Sequence, residues 1–225
     1  MKRIAFYGGS FDPLHVGHLE IARTLSEIFN LDEFVFIPAF HAPHKKDKKP
    51  TSAFHRFAMI ALATNSEAKI EVSNMELELP EKPYTVETLE RLKNKLPDAQ
   101  IFFVMGADSW QDITTWREWE KVLMMVNIIV VTRPDYEIEF SHVTEVIRQR
   151  IIDFRGNFNA KTQRRKDAKT SGIWNLKSGI YITDAVQIDI SATEIRRKIK
   201  ENEDGWQRDV PNEVAKYIEK YELYK

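Results

Sequence analysis

The chain contains no cysteine among its 225 residues. This absence excludes disulfide bonds, thiolate zinc sites and cysteine nucleophiles, and it agrees with a reducing cytoplasmic compartment. An excess of one charge is also lacking, because 33 basic and 34 acidic residues leave a formal net charge of -1. No global field therefore attracts the chain to nucleic acid or to an acidic membrane, and any phosphate site must use local charge.

Long hydrophobic runs are missing as well. The longest apolar stretch, Val122–Val131, is interrupted by Asn127 and is shorter than the roughly 18 residues that a membrane span needs. The first residues, MKRIAFYGG, lack the long apolar region of an export signal. Hydrophobic residues still make up 43% of the chain, which is enough for a packed core. We therefore expect a cytoplasmic globular protein without a membrane partner.

Short apolar runs alternate with amphipathic segments along the chain. Six runs have the length and composition of buried strands: Arg3–Gly8, Glu33–Pro38, Lys69–Asn74, Gln100–Gly106, Asn127–Arg133 and Ala185–Ile190. Segments between them carry apolar residues every three or four positions and predict helices: 18–29, 52–64, 85–96 and 117–125. This order predicts an α/β, Rossmann-like, doubly wound and mainly parallel sheet with helices on both faces and a small C-terminal helical part. Ligands of such sheets bind beyond the carboxyl ends of the strands.

The domain organisation is expected to be simple, with one domain over residues 1–225 and a C-terminal helical segment at 191–225. One segment, RGNFNAKTQRRKDAKTSG, is rich in basic residues, and the following Gly172–Ile182 has the pattern of a small hairpin. We expect an inserted basic loop and hairpin at about 154–183. A solvated loop is the simpler interpretation of the basic residues, and a local phosphate or RNA contact is the alternative.

The stretch GGSFDPLHVGHLEIA follows the first predicted strand. Its glycines allow a tight turn and let backbone N–H groups approach a ligand, although the spacing matches neither the dinucleotide fingerprint nor a Walker loop. If a helix begins near residues 14–16, His15 and His18 lie at the positive end of its dipole, where an anion such as a triphosphate would bind. A surface pair and a zinc-binding pair are the alternatives, but no Cys and no His-Glu-x-x-His pattern supports zinc.

A second stretch, DISATEIRRKI, comes after the last predicted strand and before an amphipathic helix. Ser191 and Glu194 have the spacing of a capping box, which alone is a generic feature of helices. Thr193 and Arg196 add a hydroxyl and a guanidinium near the first N–H groups of that helix. The stretch therefore predicts a second oxyanion site.

Together, GGSFDPLHVGHL and ISATEIR resemble the two signatures of the nucleotidyltransferase superfamily, a His-x-Gly-His turn and an Ile-Ser-x-Thr-x-Ile-Arg turn. More narrowly, the chain resembles bacterial nicotinate-nucleotide adenylyltransferases over most of its length. Further matching stretches follow in order: PHKK, HRFAMIALA, YTVETL, FFVMGADS, TWREWEKVL, VVTRPDY and VPNEVAKYIEKYELY. The resemblance implies adenylyl transfer from ATP to the 5′-phosphate of nicotinate mononucleotide, which gives deamido-NAD and pyrophosphate in NAD biosynthesis. It also implies Mg²⁺ that arrives with ATP.

The resemblance implies roles for individual residues. The expected catalytic, phosphate-facing residues are His15, His18, Lys45 and Arg196. The expected contacts to ATP are Gly8, Gly9, Ser10, Phe11, Gly106, Asp108, Arg133, Ser191 and Thr193. Nicotinate mononucleotide is expected at Tyr84 and Thr85, which precede a helix, and at Trp116, which resembles a stacking tryptophan. No metal ligand from the protein is expected.

Three departures from the family pattern leave alternatives open. Arg117 stands where a Tyr commonly follows the tryptophan, Ala192 replaces a frequent Ser, and the segment at about 154–183 is longer than in the family. Nicotinamide mononucleotide or another phosphate acceptor is therefore the alternative substrate. Class I aminoacyl-tRNA synthetases share a similar histidine turn, but the chain has no recognisable anticodon-binding part.

A nucleotide- or RNA-binding module is the non-enzyme alternative. The near-neutral charge and the lack of alternating aromatic and basic residues disfavour it, so no nucleic-acid partner is expected. A homo-oligomer is compatible with a doubly wound domain.

Overall fold

A computed structural model describes residues 1–40, 51–78, 83–132, 137–156 and 178–225. These residues form a seven-stranded sheet in the order β3-β2-β1-β4-β5-β7-β6. The strands are β1 (Lys2–Gly9), β2 (Glu33–Pro38), β3 (Ile70–Val72), β4 (Ala99–Gly106), β5 (Asn127–Val131), β6 (Ile151–Asp153) and β7 (Ile180–Thr183). All six pairs of neighbouring strands are parallel, so the predicted α/β architecture is confirmed.

Helices cover both faces of the sheet. In the described residues they are α1 (Val16–Ile28), α2 (Ala53–Thr64), α3 (Thr85–Lys95), α4 (Ala107–Gln111), α5 (Trp119–Met125), α6 (Glu145–Arg148), α7 (Ala192–Lys200) and α8 (Asn212–Lys220). Short 3₁₀ turns lie at Ile113–Thr115 and Trp206–Arg208. One face carries α1, α2, α7 and α8, and the other carries α3 to α6.

The alternation of side chains along β1 explains the two layers. Ala5 and Tyr7 belong to the core beneath α1 and α2, whereas Ile4 and Phe6 belong to the core on the opposite face. Successive residues of a strand point to opposite faces, and a parallel sheet covered by helices buries both. The continuous apolar runs of the sequence are therefore the expected signature of this sheet.

The last predicted strand, Ala185–Ile190, is wrong. The sheet uses the preceding residues of β7 instead, and 184–190 follow an irregular path. The ladder ends at Thr183, whose hydroxyl accepts a hydrogen bond from the Ala185 N–H at 3.1 Å, and Gln187 is exposed. Such a local bond competes with strand pairing and leads the chain out of the sheet. The short strand β6 was not predicted.

The predicted basic loop lies mainly outside the described residues, which omit 157–177. The hairpin predicted within Gly172–Ile182 is described only at its end. There Ile180–Thr183 forms β7, which pairs in parallel with β5 and β6.

The strand order locates a crevice in the molecule. β1 pairs with β2 on one side and with β4 on the other, and the later strands continue outward from each. At such a switch point, the loops that follow two neighbouring strands run in opposite directions. The gap between these loops forms a ligand-binding crevice at the carboxyl ends of the strands. Here Gly9 ends β1 and Gly106 ends β4. No helix in the described ranges is long and apolar enough to span a membrane.

Candidate nucleotide site

The turn after β1 is built around Phe11. This residue has a left-handed backbone, with φ of 47°, and its side chain is only 3% exposed. Its ring packs edge-on against Tyr7, Phe36 and His18, with centroid distances of 5.2, 5.1 and 5.0 Å. A Cβ at Gly9 would lie 2.8 Å from the Phe11 ring, so the position requires glycine. Because the ring is buried, Phe11 can contact a nucleotide only through its backbone. The backbone of its neighbour Ser10 could make a similar contact.

His15 and His18 occupy the start of α1, as the sequence predicts. His15 is the N-cap residue, and its backbone N–H donates to Nδ1 of His18 at 3.2 Å. The two rings stack with centroids 3.6 Å apart and planes 27° apart. Because Nδ1 of His18 accepts a hydrogen bond, the neutral ring carries its proton on Nε2 and can donate from that atom.

The stacking bears on the zinc alternative. Ring nitrogens bind a metal through lone pairs in the ring plane, at a Zn–N distance of about 2.0 Å. Two planes 27° apart with centroids 3.6 Å apart do not let both lone pairs meet at that distance. In the described part of the chain, no group of three or more His, Asp or Glu side chains could hold a metal ion. The arrangement favours an anion over a zinc ion.

The second predicted oxyanion site lies against the first. Ser191 is the N-cap residue of α7, and Thr193 and Arg196 follow in its first turns. The Arg196 guanidinium donates to the backbone carbonyl of Asp12 and, at 3.1 Å, to the Thr193 hydroxyl. The start of α7 is thereby joined to the turn that precedes α1.

The predicted capping box of α7 is wrong. Ser191 makes no side-chain capping hydrogen bond, and the Glu194 carboxylate pairs with Arg197 at 2.6 Å. An arginine three residues further along the helix competes for the same carboxylate. The Arg197 guanidinium also lowers the pKa of Glu194.

Arg56 is a residue of this region that the sequence reasoning missed. It lies on α2 with only 1% of its surface exposed. Its guanidinium donates to four carbonyls: Thr51 at 2.9 Å, Ser10 at 2.7 Å, Ala39 at 2.7 Å and Phe40 at 3.3 Å. Burial lowers the pKa of Arg56 from its ordinary value. The side chain fixes the turn after β1 against the loop after β2, and a buried charge needs such a complete set of acceptors.

The end of β4 carries Gly106 and Asp108. Gly106 is the N-cap residue of α4, and the exposed Asp108 stands in the first turn, where its Oδ1 accepts from the Ser109 N–H at 2.9 Å. A Cβ at Gly106 would lie 2.6 Å from that same Oδ1. The glycine therefore allows the carboxylate to fold back over the end of β4, beside the crevice.

Two of the residues predicted for the pyridine nucleotide lie at the start of α3. Tyr84 is its N-cap residue, Thr85 opens the helix, and the Glu87 carboxylate accepts from the Tyr84 N–H at 3.0 Å. The Arg117 guanidinium lies over the Tyr84 ring at 4.7 Å and reaches Glu87 at 3.4 Å. Trp116, the residue before Arg117, packs partly buried against the core cluster that includes Val86 and Leu89 of α3.

The Phe103 ring connects these residues to the first turn. It packs edge-on against Trp116, with centroids 6.5 Å apart. A Cβ at Gly8 would lie 3.3 Å from the same ring. The start of the phosphate turn and the predicted stacking tryptophan therefore share one neighbour on β4.

Glu76 contacts both α3 and the loop after β2, and it was not singled out from the sequence. Its carboxylate accepts a hydrogen bond from the buried Thr88 hydroxyl of α3 at 2.9 Å. It also accepts from the backbone N–H of Phe40, in the loop after β2. Burial raises the pKa of Glu76 above its ordinary value, and these hydrogen bonds oppose the shift.

Lys45 and Arg133, two further predicted contacts, lie outside the described residues.

Comparison with known proteins gives consistent results. Residues 6–198 match the family model described as cytidylyltransferase-like. A "probable nicotinate-nucleotide adenylyltransferase" of Desulfatibacillum aliphaticivorans is 34% identical and covers 99% of both chains. One of Clostridium botulinum is 33% identical over 100% of this chain and 99% of its own length. Among solved structures, Plasmodium falciparum nicotinic acid mononucleotide adenylyltransferase complexed with NaAD is 22% identical, with a TM-score of 0.73 over 100% of this chain and 98% of its own, which supports the fold.

The fold and the matched model define a nucleotidyltransferase of the cytidylyltransferase-like class. The chain is an enzyme of this class, since its full-length relatives share one activity name. It belongs to the nicotinate-nucleotide adenylyltransferase family. The family resemblance and the enzyme class expected from the sequence are confirmed.

Proposed function

We propose that the chain transfers the adenylyl group of ATP to the 5′-phosphate of nicotinate mononucleotide. An oxygen of that phosphate attacks the α-phosphorus of ATP, the bond from this phosphorus to the α,β-bridging oxygen breaks, and pyrophosphate leaves. The products are deamido-NAD and pyrophosphate. One observation carries the proposal: Arg196 binds the carbonyl of Asp12, which joins the start of α7 to the histidine turn at the switch point of the sheet.

The phosphates of ATP are assigned to these two joined elements. His18 would donate from Nε2 to a non-bridging oxygen, with His15 stacked beside it at the positive end of the α1 dipole. Ser191, Thr193 and Arg196 would supply donors from α7. Such donors stabilise charge on the phosphates without a covalent intermediate, so positioning and electrostatics supply the catalysis. The resemblance alone adds Lys45 and Arg133 as further phosphate contacts.

The nucleoside of ATP is assigned to the ends of β1 and β4. The backbone of Gly8, Gly9, Ser10 and Phe11 would approach the nucleotide at the switch point. The two glycines allow this turn to pack closely, because a Cβ at Gly8 or Gly9 would meet the Phe103 or Phe11 ring. The exposed Asp108 carboxylate would accept a hydrogen bond from a ribose hydroxyl, as an acidic residue after a strand does in dinucleotide sites. Gly106 keeps space for that carboxylate.

The acceptor is assigned to the start of α3. The Tyr84 N–H is bound by the Glu87 carboxylate, so the Thr85 N–H would receive the nicotinate carboxylate at the positive end of the helix, beside Tyr84. Trp116 would stack on the pyridine ring. Arg117, over Tyr84 at 4.7 Å, adds a cation in the same place. This charge favours the acid acceptor over nicotinamide mononucleotide, which is uncharged at that position.

The remaining proposals concern partners and organisation. Mg²⁺ would enter as the MgATP substrate and retain much of its water shell, so it needs few protein ligands. We assign the enzyme to the cytoplasm. We propose that it consists of one nucleotidyltransferase domain, in which the basic segment at about 154–183 is an insertion and residues 191–225 form the C-terminal helical segment. No nucleic-acid partner is proposed, and a homo-oligomer is compatible with the fold.

The experiment is a pyrophosphate-release assay with ATP, Mg²⁺ and three acceptors offered separately. Nicotinate mononucleotide should give the highest kcat/KM, nicotinamide mononucleotide a lower value, and phosphopantetheine no release. No release with any acceptor would refute the enzyme, and a preference for the amide would reverse the assignment of the acceptor. Enzyme freed of zinc but supplied with Mg²⁺ should retain full activity, whereas recovery only with zinc would restore the zinc interpretation of His15 and His18.

A further inference from the structure

Asp12 is a buried carboxylate within the turn that leads to the two histidines. It is 8% exposed and lies three residues before His15. Its Oδ1 accepts from the Tyr224 hydroxyl at 2.8 Å, and its Oδ2 accepts from the Thr51 N–H at 3.3 Å. Its backbone carbonyl accepts from Arg196. A buried carboxylate needs such partners, because leaving it without them is costly.

Tyr224 reaches Asp12 because α8 ends in a defined turn. Glu222 has a left-handed backbone with φ of 50°, and its N–H donates to the Glu219 carbonyl at 3.3 Å. The next N–H, of Leu223, donates to the Ile218 carbonyl at 3.1 Å. These two bonds form a Schellman motif, which reverses the chain after a helix. The reversal directs Tyr224 back towards the protein, where it packs against the core cluster on the face that carries α1 and α2.

The contact joins distant parts of the sequence at one point. Tyr224 and Asp12 are 212 residues apart in the chain. The Ser10 carbonyl in the same turn is bound by Arg56 at 2.7 Å, so the turn is held at Ser10 and again at Asp12. Burial and the Asp12 charge both raise the pKa of Tyr224, which keeps its hydroxyl protonated and able to donate.

We propose that Tyr224 is a positioning residue of the nucleotide site: its hydroxyl orients the Asp12 carboxylate and thereby fixes the turn that presents His15 and His18. The inference rests on the proposed function, in which that turn binds the phosphates of ATP. Tyr224 does not contact the reacting atoms. It acts on the reaction through Asp12, because a small displacement of positioned donors costs a large part of the rate.

The test compares Tyr224→Phe with Tyr221→Phe, in which a half-exposed tyrosine of the same C-terminal turn loses its hydroxyl. Tyr224→Phe should lower kcat for pyrophosphate release by about tenfold and change KM by less than about threefold, because alignment is lost and binding groups are kept. Backbone amide exchange in a peptide spanning residues 9–18 should become faster, while exchange in β4 stays the same. Tyr221→Phe should behave as wild type in both measurements.

A double substitution shows whether Tyr224 acts through Asp12. In an Asp12→Ala background, which removes the acceptor of the Tyr224 hydroxyl, adding Tyr224→Phe should change kcat by less than about twofold. Additive losses would overturn the inference, and so would a lower melting temperature with unchanged exchange at 9–18 and unchanged kcat. If the wild type releases no pyrophosphate, the proposed function fails, but the exchange measurement still decides whether Tyr224 holds the turn.

Discussion

Nδ1 of His18 accepts a hydrogen bond from the backbone N–H of His15 at 3.2 Å, so each histidine of the pair helps to fix the other. The bond caps the start of α1 and leaves the Nε2 proton of His18 as the donor of the neutral ring. His18 therefore has two separable functions. One is structural, through Nδ1, and the other is the proposed donation to a phosphate, through Nε2.

His18→Ala should lower kcat by about 10²- to 10³-fold, as the loss of an oxyanion-type donor does. The alanine also removes the acceptor for the His15 N–H, so the melting temperature should fall slightly. The control is His18→Gln, since glutamine at this helix position can still accept the hydrogen bond. It should recover the melting temperature without recovering kcat. Turnover near the wild-type value in His18→Ala would contradict the proposed role of Nε2.

Gly106→Ala should raise KM for ATP by about tenfold, because the new Cβ would lie 2.6 Å from Oδ1 of Asp108 and displace the carboxylate. Asp108→Asn should raise KM for ATP by a similar factor, since an amide is a weaker acceptor for a ribose hydroxyl than a carboxylate. Asp112→Asn, at the other end of α4, is the matched control and should leave KM unchanged. Steady-state kinetics with ATP varied at saturating acceptor gives the comparison. An unchanged KM in Asp108→Asn would exclude a ribose contact.

Arg117→Met should reduce the preference for nicotinate over nicotinamide mononucleotide by about fivefold in kcat/KM. A charge pair about 4 Å apart near water contributes about 1 kcal/mol, which corresponds to that factor. Arg117→Lys keeps the charge and should retain most of the preference, whereas Arg117→Tyr removes it and introduces the residue common in the family. Since Glu87 lies 3.4 Å from the guanidinium, Glu87→Gln should increase the preference. Equal ratios in the wild type and Arg117→Met would show that the backbone of α3 alone selects the acid.

The sheet and the first turn follow from local sequence patterns, and this explains why they were predictable. The runs that form β1 and β2 are buried on both faces, and the three- and four-residue spacing in α1 and α2 reflects helices with one buried face. The run Ala185–Ile190 has the composition of a strand, but it would have to compete with β7 for a place in the sheet. β7 already occupies the place between β5 and β6 in the sheet.

Arg56 shows a signal that could have been used. It precedes Met59, Ile60 and Ala63 at helical spacing, and all three are buried on α2, so the arginine had to lie on the same face. Tyr224 offers no such signal. Its contact with Asp12 depends on the three-dimensional return of the chain after α8, which no local pattern records.

Glu76→Gln should stabilise the protein at neutral and alkaline pH. Burial raises the pKa of Glu76 in the folded state above its ordinary value of 4.5, so the folded state binds a proton more tightly than the unfolded state does. The contribution of Glu76 to the free energy of unfolding therefore falls as the pH rises from the pKa of the unfolded state to that of the folded state. Above the folded-state pKa the carboxylate is charged in both states, and the full cost of burying it is present. A neutral glutamine, which can still accept from Thr88, avoids that cost.

The measurement is the melting temperature of Glu76→Gln and wild type at several pH values. The variant should melt about 2–4 °C higher at pH 8, which corresponds to about 1 kcal/mol for a chain of this size, and the difference should shrink towards pH 4, where both states hold the proton. Glu71→Gln, an exposed position on β3, is the control and should show no such trend. A variant that is less stable than wild type at pH 8 would mean that attraction between the Glu76 carboxylate and the buried Arg56 outweighs the cost of burial.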